Sequence, residues 1–200
     1  MMINYSLMTL NAELYCVADK TRRKPYLQGR LDAYCGVYSM VNAVHYLCGP
    51  LSSEQASALL IKLMGYLEPN QTAFKRLTNG TSLKEIVRAV DHCISRQYPI
   101  KKAKPFSRNK GVSIDDLWRE ISSFLATRKG IVILGMGGKH EHWSVVKKTT
   151  PTSLLLFDSV RLSRLSKHHC STQETDETVH VLKPTHVLFL WVAQPGGSHE

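Results

Sequence analysis

The sequence predicts an α+β fold in which a helical part comes first and an antiparallel sheet follows. From about residue 35 to residue 128, apolar residues recur every three or four positions, which is the period of a helix. From about residue 130 to residue 194, short apolar runs rich in Val, Ile, Leu and Trp alternate with turn residues, as in strands joined by hairpins. The chain has no internal repeat, so we predict one domain over residues 1–200.

Four helices are predicted from their start and stop signals. The first begins at about Cys35, carries an apolar face and ends at Leu47, before Gly49-Pro50. Each of the other three follows a serine that can cap the start of a helix. They are predicted to follow Ser52, Ser82 and Ser113 and to end near Leu67, Gln97 and Arg128, the last closed by Gly130.

Four strands are predicted in the last third of the chain, where β-branched and aromatic residues concentrate. Their predicted ranges are Ile131 to Leu134, Trp143 to Val146, Ser153 to Phe157 and His186 to Val192. The pair His168-His169 is predicted to lie in a solvated loop that follows the basic stretch from Arg161 to Lys167.

The composition excludes several classes of protein. No apolar run approaches the ~20 residues that cross a bilayer, and no signal peptide is evident, so we expect a cytoplasmic protein without a membrane partner. The odd number of cysteines, without a CxxC spacing, argues against a disulfide framework and a zinc ribbon. These cysteines are Cys16, Cys35, Cys48, Cys93 and Cys170.

The chain is basic, with 26 Lys and Arg against 16 Asp and Glu and a net charge of +10. Part of this charge lies in the segment from Tyr98 to Gly111. A nucleic-acid partner is one interpretation of this segment, but an ordinary basic surface is the favoured one. The pair His140 and His142 and the run from His168 to Cys170 lack further ligands at fixed spacing, so we expect no metal and no other cofactor.

Cys35 lies in a context that packing alone does not explain. It opens the first helix, where unpaired backbone N–H groups and the helix dipole stabilise a thiolate. The N–H of Cys35 itself points outward and can donate to an oxyanion. Gln28 can add a neutral side-chain donor on the same side. These features predict a nucleophilic cysteine.

A base and an orienting group for this thiol are predicted in the sheet. His142 follows a glycine-rich loop and begins the strand that contains Trp143, which gives the imidazole both access and a rigid mount. Asp158 closes the next strand, 158 − 142 = 16 residues later, which suits a hairpin that places the two side by side. The carboxylate can then hold the second ring nitrogen and fix the tautomer.

The order Gln28, Cys35, His142 and Asp158 resembles the papain-like cysteine peptidases. The matching strings are CGVYSMVNA and HWSVV…LLLFDS, and they look most like the compact bacterial leader peptidases that process bacteriocins. The resemblance implies a helical lobe against an antiparallel sheet and hydrolysis through a thioester without a metal. Gln28 stands 35 − 28 = 7 positions before Cys35, one more than is usual, so Asp32 or a backbone amide is the alternative there.

The sequence therefore predicts a cysteine peptidase or isopeptidase that acts on a peptide or protein through a Cys-His-Asp triad. His140, two residues before His142, is the weaker rival for the base. One alternative is an amide transferase or glutamine deamidase, because an amine can capture the same thioester. Another is a non-catalytic basic module that binds nucleic acid or protein, in which Cys35 is structural.

Overall fold

The computed structural model describes residues 23–29, 33–68, 80–107, 111–138, 141–175 and 178–193. Its helices begin where the sequence predicts them. They are α1 (Cys35–Leu47), α2 (Ser53–Leu67), α3 (Leu83–Ala89), a π-helical turn that continues α3 (Val90–Ile94), and α4 (Ile114–Thr127). None of the helices in the described part of the chain is both long and apolar enough to cross a membrane.

The helix starts are accurate because the signals that set them are local. Ser52 and Gln55 form a complete capping box, in which each side chain accepts a hydrogen bond from the backbone N–H of the other residue. Ser82 forms the same box at the start of α3, and the Ser113 hydroxyl accepts from a backbone N–H in the first turn of α4. These caps satisfy N–H groups that the helices cannot satisfy themselves.

Two predicted helix ends are wrong. The third helix stops at Ile94 rather than at Gln97, and residues 95–97 form a turn instead. The helix cannot continue beyond this turn, because Tyr98 precedes Pro99 and the α conformation is disfavoured before proline. Gly130 does not close α4 but opens a strand. A Cβ atom on Gly130 would lie 2.6 Å from the Phe124 ring, so this glycine serves close packing rather than a helix end.

The described residues form a seven-stranded sheet, antiparallel except for one short parallel pair. The strands are β1 (Ile100–Ala103), β2 (Gly130–Gly138), β3 (His142–Thr149), β4 (Ser153–Leu156), β5 (Arg164–Ser166), β6 (Cys170–Ser171) and β7 (His180–Val192). Their order is β1-β7-β2-β3-β4-β5, with β6 parallel to β7. Helices and an antiparallel sheet together confirm the α+β class.

The sheet differs from the prediction at its short strands. β1 lies inside the stretch that was expected to be mainly helical, and the sequence did not predict β5 and β6, which lie on either side of the exposed pair His168-His169. Leu165 and Cys170 are buried in these two short strands, which shows why they dock on the sheet despite polar neighbours. β2 continues through Gly138, so most of the predicted glycine-rich loop is strand.

Helices cover both faces of the sheet. Side chains alternate along a strand, so Ile131 and Ile133 pack with α1, α2 and α3, while Val132 and Leu134 pack with α4. The buried residues of α4 that cover this second face are Leu117, Trp118 and Ile121. The structure therefore adds a second helical layer, formed by α4, to the predicted helical lobe against the sheet.

Candidate active site

The start of α1 meets the start of β3, and this contact places Cys35 near His142. The Ser39 hydroxyl of α1 donates a 2.9 Å hydrogen bond to the backbone carbonyl of Trp143. A Cβ atom on Gly36 would lie 2.8 Å from the Thr81 Cβ and 3.3 Å from the Trp143 ring. The glycine that follows Cys35 therefore allows the helix end, the Thr81 segment and β3 to pack closely.

Cys35 is the first residue of α1, as the sequence predicts. The first turn of an α-helix has N–H groups without intrahelical acceptors, and that of α1 contains no acidic residue. The positive end of the helix dipole is therefore directed at the Cys35 side chain without a competing carboxylate. Cys35 is 8% exposed, and what it exposes lines a cleft.

His142 connects the thiol to a buried carboxylate. It begins β3, and its Nε2 lies 2.6 Å from Oδ2 of Asp158. The Cys35 side chain lies close enough to His142 to raise the pKa of the imidazole. Because Asp158 occupies Nε2, Nδ1 is the ring nitrogen that can exchange a proton with the sulfur.

Asp158 is held rigidly, two residues after β4 ends at Leu156. Its second oxygen, Oδ1, accepts hydrogen bonds from the backbone N–H groups of Val160 at 2.7 Å and Leu162 at 3.1 Å. The residue is 2% exposed. A buried carboxylate with three donors has no freedom to turn away from His142.

The electrostatics favour a charged pair. Burial alone would lower the pKa of His142, but its hydrogen bond with Asp158, the charge of that carboxylate and the nearby Cys35 side chain raise that pKa to about 9. Burial would raise the pKa of Asp158, but its hydrogen bond with His142 and the imidazolium charge lower it. Near neutral pH the site therefore holds an imidazolium beside a carboxylate.

Ser144 also faces this carboxylate from β3. Its buried hydroxyl lowers the pKa of Asp158, although it makes no hydrogen bond of standard geometry among the described residues. We take the hydroxyl to act on the carboxylate as a nearby dipole rather than as a full hydrogen-bond donor.

Gln28 lines the same cleft as Cys35. Its Oε1 accepts a 2.9 Å hydrogen bond from the Ser159 hydroxyl, and its backbone N–H donates to the Ser159 carbonyl at 3.1 Å. Since Oε1 is held by Ser159, the donor end of the amide, Nε2, points away from that residue. Asp32, the alternative on this side, lies outside the described residues.

The segment that contains Gln28 is fastened to α1 by Asn42. The Asn42 side chain accepts from the Tyr26 N–H at 2.7 Å and donates to the Tyr26 carbonyl at 3.0 Å. Arg23 adds hydrogen bonds to the carbonyls of His45 and Tyr46 at the end of the same helix. Gln28 and Cys35 are thereby attached to one helix.

The cleft has a volume of about 360 Å³ and is open to both Cys35 and His142. The residues that line it come from two parts of the fold. From outside the sheet these are Gln28, Ala33, Cys35, Gly80, Thr81 and Ser82, and from β2, β3, β7 and the residue before β3 they are Gly135, Met136, Glu141, His142, Trp143, Lys183 and His186. The structure thus brings all four predicted site residues together, three along the cleft and Asp158 behind His142.

Sequence reasoning missed Ser159, Lys183 and His186. Ser159 directly follows Asp158, and a hydroxyl beside a predicted catalytic carboxylate was a signal that could have identified it. Lys183 precedes the predicted start of β7 at His186, whereas the strand begins at His180. The place of Lys183 beside the cleft could not be predicted, because the strand was predicted to start only after this residue.

The other described thiols and histidines form no second site. Burial raises the pKa of Cys170 to about 11 and also raises the pKa of Cys93. In the described part of the chain, no group of three or more His, Cys, Asp or Glu side chains is placed to hold a metal. His140, the rival base, lies outside that part.

Comparisons with known proteins find similarity among solved structures. No protein-family model matches the chain, and no curated protein matches it. Among solved structures, the chain is similar to the crystal structure of the peptidase domain of Streptococcus ComA, a bi-functional ABC transporter involved in a quorum-sensing pathway. The identity is 16%, the TM-score is 0.49, and the match covers 85% of this chain and 98% of that domain.

Proposed function

We propose that this protein is a papain-like cysteine peptidase or isopeptidase with Cys35 as nucleophile, His142 as base and Asp158 as its orienting group. One observation carries the proposal. The imidazole of His142 lies 2.6 Å from a buried carboxylate and interacts electrostatically with a thiol at a helix start, and both His142 and this thiol line one cleft. This is the arrangement that activates a nucleophile, its base and an orienter as one unit.

Within that superfamily, the proposal favours the compact bacterial leader-peptidase type. Its support is the pair of strings in the sequence, CGVYSMVNA at the start of α1 and HWSVV…LLLFDS across β3 and β4. A peptide or protein substrate follows from the chemistry, since the thiolate needs an acyl carbon bound to an amine that can leave.

The reaction begins with attack of the Cys35 thiolate on the carbonyl carbon of the substrate. The carbonyl oxygen becomes an oxyanion, which accepts hydrogen bonds from the Cys35 N–H and from Nε2 of Gln28. His142 then donates its Nδ1 proton to the leaving amine as the C–N bond breaks. The products of this step are a free amine and a thioester on Cys35.

Water completes the reaction. Neutral His142 removes a proton from a water molecule, whose oxygen attacks the thioester carbonyl. The C–S bond breaks, the acid product leaves, and the imidazolium again faces the thiolate. Asp158 keeps its proton-free state throughout and holds Nε2–H, so Nδ1 is always directed at the reaction.

Alkylation tests the nucleophile. Iodoacetamide at neutral pH should label Cys35 at least tenfold faster than the other cysteines of the native protein, with the labelled residue identified by peptide mapping. His142→Ala should slow this labelling, whereas Cys93→Ala, a matched change at a buried thiol, should leave it unchanged. Equal labelling of all five cysteines would show that Cys35 is not activated.

Product mass tests the reaction. A mixture of acetylated peptides should yield fragments whose masses sum to the parent plus one water, and Cys35→Ala should abolish them. A gain of about one mass unit without cleavage would instead identify a deamidase, and loss of ammonia with cross-linking would identify a transferase. Absence of any Cys35-dependent product would contradict the proposal.

A further inference from the structure

One of the cleft residues that belong to the sheet is a lysine, Lys183. Lys183 of β7 extends across β2, directly above Gly137. A Cβ atom on Gly137 would lie 2.5 Å from Cε and 3.0 Å from Nζ of this lysine. A side chain at residue 137 would therefore push the end of this lysine aside, so the glycine leaves room for the ammonium to lie here.

The ammonium is paired with a carboxylate that water reaches easily. Nζ of Lys183 lies 2.9 Å from Oε1 of Glu141. The Glu141 side chain is 79% exposed, whereas that of Lys183 is 36% exposed. A pair with one such exposed member contributes little free energy, because water and salt compete for the carboxylate. A different carboxylate can replace it at small cost.

The other described groups near Lys183 do not supply it with a negative charge. Of the described residues that line the cleft, only Glu141 carries a carboxylate. Asp158 is buried and held by His142. Burial and the charge of Lys183, partly offset by Glu141, lower the pKa of His186, which stacks on Trp143 with ring centroids 5.5 Å apart. The lowered pKa favours the neutral imidazole of His186 at neutral pH, so this ring adds no second positive charge beside Lys183.

We propose that Lys183 binds a carboxylate of the substrate next to the scissile bond, and that Glu141 occupies this position in the free protein. The inference rests on the proposed function, because it places the substrate in the cleft with Cys35. The carboxylate is either an acidic side chain or the C-terminus of a peptide, and both present the same group to an ammonium.

Peptidyl acyloxymethyl ketones, which alkylate activated cysteines, test the side-chain source. Each of three positions in turn carries Glu, Gln or Lys, with alanine at the other two, and the rate of Cys35 alkylation is measured. We expect one position at which Glu exceeds Gln by about 3- to 10-fold, as for a partly exposed ion pair. This ratio should fall as NaCl rises from about 50 to about 500 mM.

Competition tests the C-terminal source. An acetylated alanine pentapeptide with a free C-terminal carboxylate and the same peptide with a C-terminal amide are compared for their ability to protect Cys35 from the all-alanine ketone. Protection by the free acid at a several-fold lower concentration would assign the carboxylate to the C-terminus. A preference in either assay supports the inference, and the absence of a preference in both overturns it.

Variants connect the preference to the named residues. Lys183→Met should bring the carboxylate ratio to about 1, and Lys183→Glu should favour the lysine ketone. Glu141→Gln should increase the ratio, because it removes the internal competitor. Lys129→Met, a matched change at an exposed lysine outside the cleft, should keep the ratio of the unmodified protein. A preference that survives Lys183→Met would contradict the proposal.

Iodoacetamide separates the two proposals. Its rate at Cys35 is measured in every variant and used to normalise the ketone rates, since it has no peptide to contact Lys183. Failure of iodoacetamide to select Cys35 rejects the proposed function itself. Selective labelling by iodoacetamide without any carboxylate preference rejects only the role of Lys183.

Discussion

Replacing Asp158 with asparagine removes the charge that holds the imidazolium while keeping the shape of the side chain. The pKa of His142 is raised from 6.5 to about 9, a difference of about 2.5 pH units. At about 1.36 kcal/mol per unit, the folded protein favours the charged ring by about 3 kcal/mol. Asp158 and Cys35 raise this pKa, whereas burial opposes them, so the two groups together supply more than the net shift. If their shares are similar, Asp158→Asn should lower the pKa of His142 by more than about one unit.

The titration of His142 measures this change directly. Proton and nitrogen NMR of histidine-labelled protein gives the pKa of each ring, and His142→Gln assigns the resonance. The pH profile of peptide hydrolysis gives a second reading, because its basic limb falls when His142 loses its proton, and this limb should move to lower pH in Asp158→Asn. A pKa near 6.5 in the unmodified protein, or the same pKa in both proteins, would refute the reasoning.

Three further predictions concern stability and turnover. As pH rises from 6.5 through about 9, the free energy of unfolding should fall, because the raised pKa of His142 stabilises the folded state only while the ring is protonated; denaturant titrations should show a smaller fall in Asp158→Asn. Gly36→Ala places a Cβ 2.8 Å from Thr81 and should cost about 1–3 kcal/mol in thermal or denaturant unfolding; an unchanged midpoint would show that the contact can relax. Ser159→Ala releases Oε1 of Gln28 and should reduce peptide hydrolysis more than iodoacetamide alkylation, which forms no oxyanion; equal losses in both assays would argue against an oxyanion role for Gln28.

Features set by neighbouring residues could be predicted from the sequence. The capping serines Ser52, Ser82 and Ser113 act within three residues of themselves, so the helix starts follow from local chemistry. Cys35 at the start of α1 and His142 at the start of β3 were predicted for the same reason. Their catalytic roles stay predictions until the thiol is tested.

Features set by distant partners could not be predicted. β1, β5 and β6 contain two to four residues each, and they exist only because β7 and β4 offer them hydrogen bonds. The sequence also does not determine which face of the sheet α4 covers, because the amphipathic pattern of α4 fits either face. The hydrogen bond between Gln28 and Ser159 joins residues 131 positions apart, a distance at which sequence spacing gives no guidance.

The place where α1 meets β3 has a consequence for the newly made chain. Cys35 belongs to the helical layer and His142 belongs to the sheet. Within that sheet, β7 pairs with β2 and is the last of the described strands to be synthesised. Until the layers dock, Cys35 has neither His142 beside it nor its cleft. If Cys35 is the nucleophile proposed above, the nascent polypeptide would lack peptidase activity, which would appear only when the two layers have packed together.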